Sequence, residues 1–105
     1  MSYEVNISDQ AYADVHKIFD YIAFELQSII NAERQVARIE DEILSLSEMP
    51  ERYKRYEYEP WLSQNAHIVS VDNYSILYQV DRDGGEVFIL RVLYAGQDIR
   101  VELEK

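Results

Sequence analysis

The chain opens with apolar residues at every second position. Tyr3, Val5 and Ile7 alternate with Glu4 and Asn6, the period of a half-buried strand. Ser8 follows as a good helix N-cap, with Asp9 in the favoured first turn. From there the spacing changes to three and four. Ala11, Val15, Ile18, Phe19, Ile22 and Leu26 mark one face of an amphipathic helix of roughly 18 residues. A break near Gln27-Ser28 or Asn31 precedes a second helix, with Ala32, Val36, Ile39, Ile43 and Leu46 on its apolar face. Pro50 ends it, because proline lacks the N–H that would continue the ladder. Two such helices with a tight connection predict an antiparallel hairpin.

Residues 51–65 show no period and are expected to form an ordered loop, anchored by aromatic residues and stiffened by Pro60. The period then returns to two. Residues 66–71 and 74–81 predict strands joined at Asp72-Asn73, where Asn tolerates positive φ. Asp83-Gly84-Gly85 predicts a second hairpin turn. Residues 87–94 are apolar on both faces except at Arg91, which predicts a central strand. The tail from Ala95 forms a short helix or a final extension. The order β-α-α-β-β-β predicts an α+β fold, an antiparallel sheet with the helical hairpin packed on one face, and a single domain over residues 1–105.

Composition narrows the function. Twenty acidic and ten basic side chains give a net charge of −10, which opposes approach to a phosphate backbone. The helical half carries most of the excess. Residues 1–60 hold 13 acids and 6 bases, residues 61–105 hold 7 and 4. The absence of cysteine excludes disulfides, thiolate zinc sites and a cysteine nucleophile. Apolar runs fall far short of the roughly 20 residues of a membrane span. The N-terminus lacks a charged region followed by an apolar stretch. A cytoplasmic location without membrane contact is therefore expected.

The ordered motifs resemble the RelE/ParE superfamily of type II toxin–antitoxin toxins. They run from Tyr3-Glu4-Val5-Asn6-Ile7-Ser8 through Ile18-Phe19-Asp20-Tyr21-Ile22-Ala23 and Arg38-Ile39-Glu40 to Met49-Pro50-Glu51-Arg52-Tyr53. Glu59-Pro60-Trp61, Val71-Asp72-Asn73-Tyr74, Leu77-Tyr78-Gln79-Val80-Asp81, Arg91-Val92-Leu93-Tyr94 and Asp98-Ile99 complete the set. The chain is most similar to the plasmid-stabilisation, ParE-like branch. The resemblance implies a growth-inhibiting toxin with a cognate antitoxin as partner. It implies the ribosome as target on the RelE side, where mRNA is cut, or DNA gyrase on the ParE side. It also implies basic stretches after the Pro-Trp and after the last strand. Here those stretches read Leu62-Ser63-Gln64-Asn65-Ala66-His67-Ile68 and Tyr94-Ala95-Gly96-Gln97-Asp98. Binding of free nucleic acid is accordingly not expected.

RNA cleavage would need a base, cations at the developing phosphorane and an acid for the leaving oxygen. The candidates are His67 as base, Arg91 as cation and Tyr94 as proton donor. Each has a structural alternative. His67 packs in a strand, Tyr94 is one tyrosine among nine, and Arg91 pairs with a carboxylate such as Asp81 or Glu59. Arg52, Lys54 and Arg55 either contact a target or antitoxin, or pair with Glu51, Glu57 and Glu59 in a solvated loop. Tyr56, Tyr58 and Trp61 either join that interface or pack over the sheet edge. Glu40-Asp41-Glu42 point in different directions on a helix, so no metal site is expected, and no cofactor. Three readings follow: a ParE-like toxin held by an antitoxin over an apolar-aromatic groove, a ribosome-dependent mRNA interferase, and a non-toxic homologue kept as a binding module.

Overall fold

The computed structural model describes residues 2–104. Strand β1 (Glu4–Ile7) leads into helix α1 (Asp9–Asp20), which widens into a π-helical turn at Tyr21–Glu25. Helix α2 (Ile29–Ser45) returns antiparallel to it. Strands β2 (Ala66–Val71), β3 (Tyr74–Asp81) and β4 (Glu86–Tyr94) follow, and a short helix α3 (Ile99–Leu103) closes the chain. Ser8 caps α1 as the sequence predicts, accepting from the Ala11 N–H at 3.0 Å, and Ser28, within the expected break, caps α2 by accepting from the Asn31 N–H at 3.3 Å.

The sheet order is β1-β4-β3-β2, so β4 is central as its two apolar faces require. The α+β class and the one-sided helical hairpin hold. The sheet is mixed rather than purely antiparallel, because β1 runs parallel to β4. The reason is topological: α1, the π turn and α2 intervene between β1 and its neighbours, and such a crossover permits parallel pairing. Positive φ in the β2–β3 turn falls on Asp72 (53°), whose carboxylate is gripped by Arg38 at 2.7 Å and Gln35 at 2.9 Å on α2. The loop after Pro50 contains 3-10 turns at Pro50–Arg52 and Leu62–Gln64. Between them, backbone bonds from Tyr56 to Ala66 and from Ile68 to Lys54, both 3.0 Å, cover the β2 edge.

The sheet buries both faces. Ile76, Tyr78 and Val80 of β3 join Val87, Ile89 and Val92 of β4 against Ala11, Ile18, Ala32, Ile39 and Ile43 of the hairpin. Tyr78 is fully buried, and its hydroxyl donates to the Pro50 carbonyl at 2.6 Å. Burial pushes that phenol well above its ordinary pKa, so it stays a donor. On the opposite face a smaller core forms from Tyr56, Ala66 and Leu77, with Trp61, Ile68, Leu90, Ile99 and Leu103 packed on it. The loop and α3 thus cover what the helices do not. Ile39 is wholly buried and Leu44, on the same helix, is 65% exposed. Urea unfolding should therefore show Ile39→Ala losing about 2–5 kcal/mol, and Leu44→Ser changing stability by no more than about 0.5 kcal/mol.

Candidate functional site

The principal groove begins where β1 stops. β1 pairs with β4 only as far as Ile7 opposite Ile89, then Ser8 turns the chain into α1. Beyond that point the edge of β4 has no strand beside it. The carboxylate of Asp14, one helical turn into α1, takes the vacant place. Its Oδ2 accepts the Val92 backbone N–H at 2.9 Å. The same carboxylate receives the Arg91 guanidinium in a fork, Nε to Oδ2 at 2.8 Å and Nη2 to Oδ1 at 2.9 Å. A bulge in β4 makes this reach possible: Leu77 pairs with Arg91 and Tyr78 with Ile89, leaving Leu90 as the extra residue. The ion pair raises the Arg91 pKa further, first through its hydrogen bond to Asp14. Arg91 also donates to the Glu102 carbonyl at 3.4 Å, which ties α3 to the same point.

Above this pair lies a cavity of about 660 Å³ between the end of α1, the β2–β3 turn and the end of β4. Ile18, Tyr21, Leu26, Tyr74 and Tyr94 supply its apolar and aromatic walls. Tyr74 and Tyr94 meet edge to face at 5.9 Å. The Tyr94 ring lies so close to Gly96 that a Cβ there would collide with it at 2.4 Å. The glycine found where the resemblance implies a cation is therefore what lets this ring lie down. Lys17, Asp14, Arg91 and Glu102 form the groove's charged rim.

The sequence-derived candidates divide between three places. Arg91 and Tyr94 share the groove. The partner of Arg91 is Asp14, not Asp81 or Glu59. The signal for it was present: Asp14 lies three residues after Ala11 and four before Ile18, on the apolar stripe of α1. A carboxylate there needs a buried cation. Leu26, expected on the apolar face of the first helix, and Tyr21, off that face, also line the groove.

His67 is elsewhere, buried on β2 and stacked on Tyr78 at 5.6 Å. Its Nδ1 meets the Tyr53 carbonyl at 2.9 Å and its Nε2 meets Asn65 Oδ1 at 3.2 Å. Arg52 donates to the carbonyls of Glu48 and Met49 at the end of α2 and stacks over Tyr53 at 4.5 Å. Arg55 donates to the Leu62 carbonyl at 2.8 Å. These two guanidiniums serve backbone oxygens rather than the carboxylates Glu51, Glu57 and Glu59. Glu51 instead binds Arg82, at 2.6 and 2.7 Å. Lys54 is exposed. Tyr56 and Trp61 belong to the second core, while Tyr58 stays half exposed beside Tyr56 and under the Arg100 guanidinium, 4.5 Å away. Among the described residues no group of three His, Asp or Glu side chains is placed to hold a metal ion.

Two outcomes follow for stability. Asp14 and Arg91 are both largely buried, so Asp14→Asn should cost about 3–5 kcal/mol in denaturant unfolding by stranding the guanidinium. Adding Arg91→Met should restore much of that loss. The Arg82 hydrogen bond holds the Glu51 carboxyl below its ordinary 4.5. A depressed carboxyl stabilises the fold above its unfolded value and loses that contribution as pH falls through its folded value. Glu51→Gln should thus be less stable than the parent at neutral pH, with the gap closing below roughly pH 4 in acid titrations followed by circular dichroism.

The comparisons agree with this architecture. The chain has 20% identity to a chain of the chromosomal ParDE toxin–antitoxin system from P. aeruginosa, with a TM-score of 0.72 over 89% of this chain and 96% of that one. It has 23% identity to a chain of the RelBE2 toxin–antitoxin complex of Mycobacterium tuberculosis, with a TM-score of 0.69 over 92% and 95%. A free E. coli RelE variant superposes with a TM-score of 0.68 at 14% identity, over 97% and 93%. No curated protein sequence matches the chain significantly. At these identities the structures establish the fold. The family model for the ParE toxin of the type II parDE toxin–antitoxin system matches residues 5–99. On that match over nearly its whole length, the chain belongs to the ParE toxin family.

Proposed function

We propose that residues 1–105 act as one domain, the cytoplasmic toxin of a type II toxin–antitoxin pair. It arrests growth by gripping a macromolecular target, DNA gyrase or the ribosome, and a cognate antitoxin neutralises it. The observation that carries this reading is the aromatic groove of about 660 Å³ walled by Tyr21, Tyr74 and Tyr94. Tyr21 and Tyr94, each about half exposed beside an apolar floor, favour a protein ligand, since such rings bury large area at little entropic cost. The RelBE2 and archaeal RelE–RelB structures to which this chain is similar are toxin–antitoxin complexes, which supports an antitoxin as the natural occupant.

A second reading, ribosome-dependent mRNA cleavage, draws on one feature: Arg91 and Tyr94 border the same groove. A cation and a phenol there could face a phosphate. The contact reading is better supported, because Arg91 is engaged by Asp14 and His67 has both ring nitrogens occupied. Arg52, Lys54, Arg55, Tyr56, Tyr58 and Trp61 remain candidates for the target- or antitoxin-binding surface, with Arg52, Lys54, Arg55 and Tyr58 exposed. Expression of the chain alone should arrest growth with intact mRNA, and co-expression with the adjacent reading frame should relieve the arrest. A change in plasmid supercoiling during the arrest would identify gyrase as the target. Cut mRNA, abolished by Arg91→Ala or Tyr94→Phe, would replace this reading with the ribonuclease one. Unimpaired growth would leave a non-toxic binding module.

A further inference from the structure

The roof over the sheet face turned away from the helical hairpin is incomplete. The loop and α3 cover Ala66, Leu77 and Leu90, and the cover stops short of β1. There a second cavity of about 410 Å³ opens, lined by Asn6, Ile7, Ser8, Gln79, Phe88 and Leu90. Three of these residues stand in one row across the strands. Asn6 of β1 pairs with Phe88 of β4, and Phe88 with Gln79 of β3. Their sequence neighbours Val5, Val87 and Val80 pack into the helix-side core, so by alternation all three side chains stand on the open face. A half-buried aromatic ring is thus flanked by two amides.

The Asn6 amide nitrogen is buried and has no hydrogen-bond partner. The one hydroxyl in the lining is already engaged: Ser8 Oγ donates to the Leu90 carbonyl and accepts the Ala11 N–H, both at 3.0 Å. Among the described residues no group hydrogen-bonds the Gln79 side chain either. A buried donor left unpaired costs its full desolvation, so this position calls for an acceptor from outside the chain. The next row on the same face is acidic. Glu4 pairs with Glu86, and Glu86 with Asp81. Asp81 is turned to the Gly84 N–H, at 3.0 Å. This row repels an anion.

We propose that this cavity binds an adenine base carried without phosphate, as in a nucleoside. The base stacks on Phe88, as bases do on aromatic side chains. Asn and Gln amides match adenine because each offers a donor beside an acceptor. Adenine presents the complementary pair, an amino group beside a ring nitrogen, on two of its edges. The stranded Asn6 nitrogen donates to a ring nitrogen, and the Gln79 amide engages another edge. Guanine offers two adjacent acceptors in the corresponding place, the pattern of arginine rather than of an amide. The acidic row and the net charge of −10 turn away nucleotides and nucleic-acid backbones. The cavity shares no lining residue with the aromatic groove, and its ligand is independent of the toxin reading.

Calorimetric titration of the full chain with adenosine, paired with NMR of its side-chain amides, tests the site. Adenosine should bind saturably with a Kd of about 0.1 mM, the scale expected for a ligand of its size, and should shift the Asn6 and Gln79 amide signals. AMP should bind about tenfold more weakly, and guanosine about tenfold more weakly as well. Asn6→Leu should weaken adenosine binding about tenfold or more and leave the thermal midpoint unchanged or higher, because it removes a stranded donor rather than a bond that holds the fold. Gln79→Leu, at a half-buried position, is the second variant and should weaken binding likewise. No saturable adenosine binding, or binding that survives both variants in folded form, would overturn the proposal. So would AMP or a short oligoadenylate binding more tightly than adenosine, which would make a phosphate backbone part of the ligand. Signal changes confined to Tyr21, Tyr74 and Tyr94 would move adenosine to the aromatic groove and overturn it too.

Discussion

The structure depends on one carboxylate. β4 is the central strand, yet its neighbour β1 ends after four residues, leaving the far half of β4 with an unpaired edge beside α1. A buried N–H without a partner costs about as much as a lost hydrogen bond. Asp14 supplies the partner for Val92 and, through the same group, neutralises Arg91. Three elements are fixed at once: α1 against the sheet, the bulged register of β4, and α3 through the Arg91–Glu102 contact. The groove exists because this clamp holds α1 and the end of β4 at a set separation, with Tyr21 and Leu26 on one wall and Tyr74 and Tyr94 on the other.

The same economy runs through the other cations. Arg38 fastens the β2–β3 turn to α2, Arg52 closes the end of α2, Arg55 braces the following loop, and Arg82 holds Glu51. In a chain with twice as many acids as bases, most guanidiniums are drawn into structural bonds. A surface that binds phosphate backbones needs several unengaged cations on one face. The exposed surface here offers carboxylates and apolar side chains instead, which suits a protein partner.

The hairpin turn shows how a local irregularity reshapes a surface. A regular α-helix through Tyr21–Glu25 would preserve the three-and-four spacing and keep one apolar stripe inward. Through the π segment Ile22 and Ala23 stay buried, while Leu26, the last residue of the stripe, comes outward beside Tyr21 and Phe24. Phe24 and, at the start of α2, Ile29 and Ile30 lie in water at the same end of the bundle. Such a cluster marks a contact surface, and its junction with the groove joins the two into one face.

Periodicity alone carried the element order, the two helices, the three later strands and the central position of β4. These depend on which residues must leave water, and side-chain alternation records that directly. The cap at Ser8 is equally local, whereas α2 ends at Ser45, ahead of the Pro50 that the sequence marks as its stop. The parallel pairing of β1, the bulge at Leu90 and the exposure of Phe24 and Ile29 were not legible, because each depends on how distant segments meet. Arg91 stands between the two cases. Its intrusion into an apolar strand announced a buried charge. Asp14, 77 positions away in sequence, was chosen as its partner over Asp81 and Glu59 because β1 ends where it does and brings α1 against β4. The sequence by itself determined which groups had to be buried and which charges had to be matched. Only the tertiary structure decided the pairings, since the geometry that sets each distance arises when the layers pack.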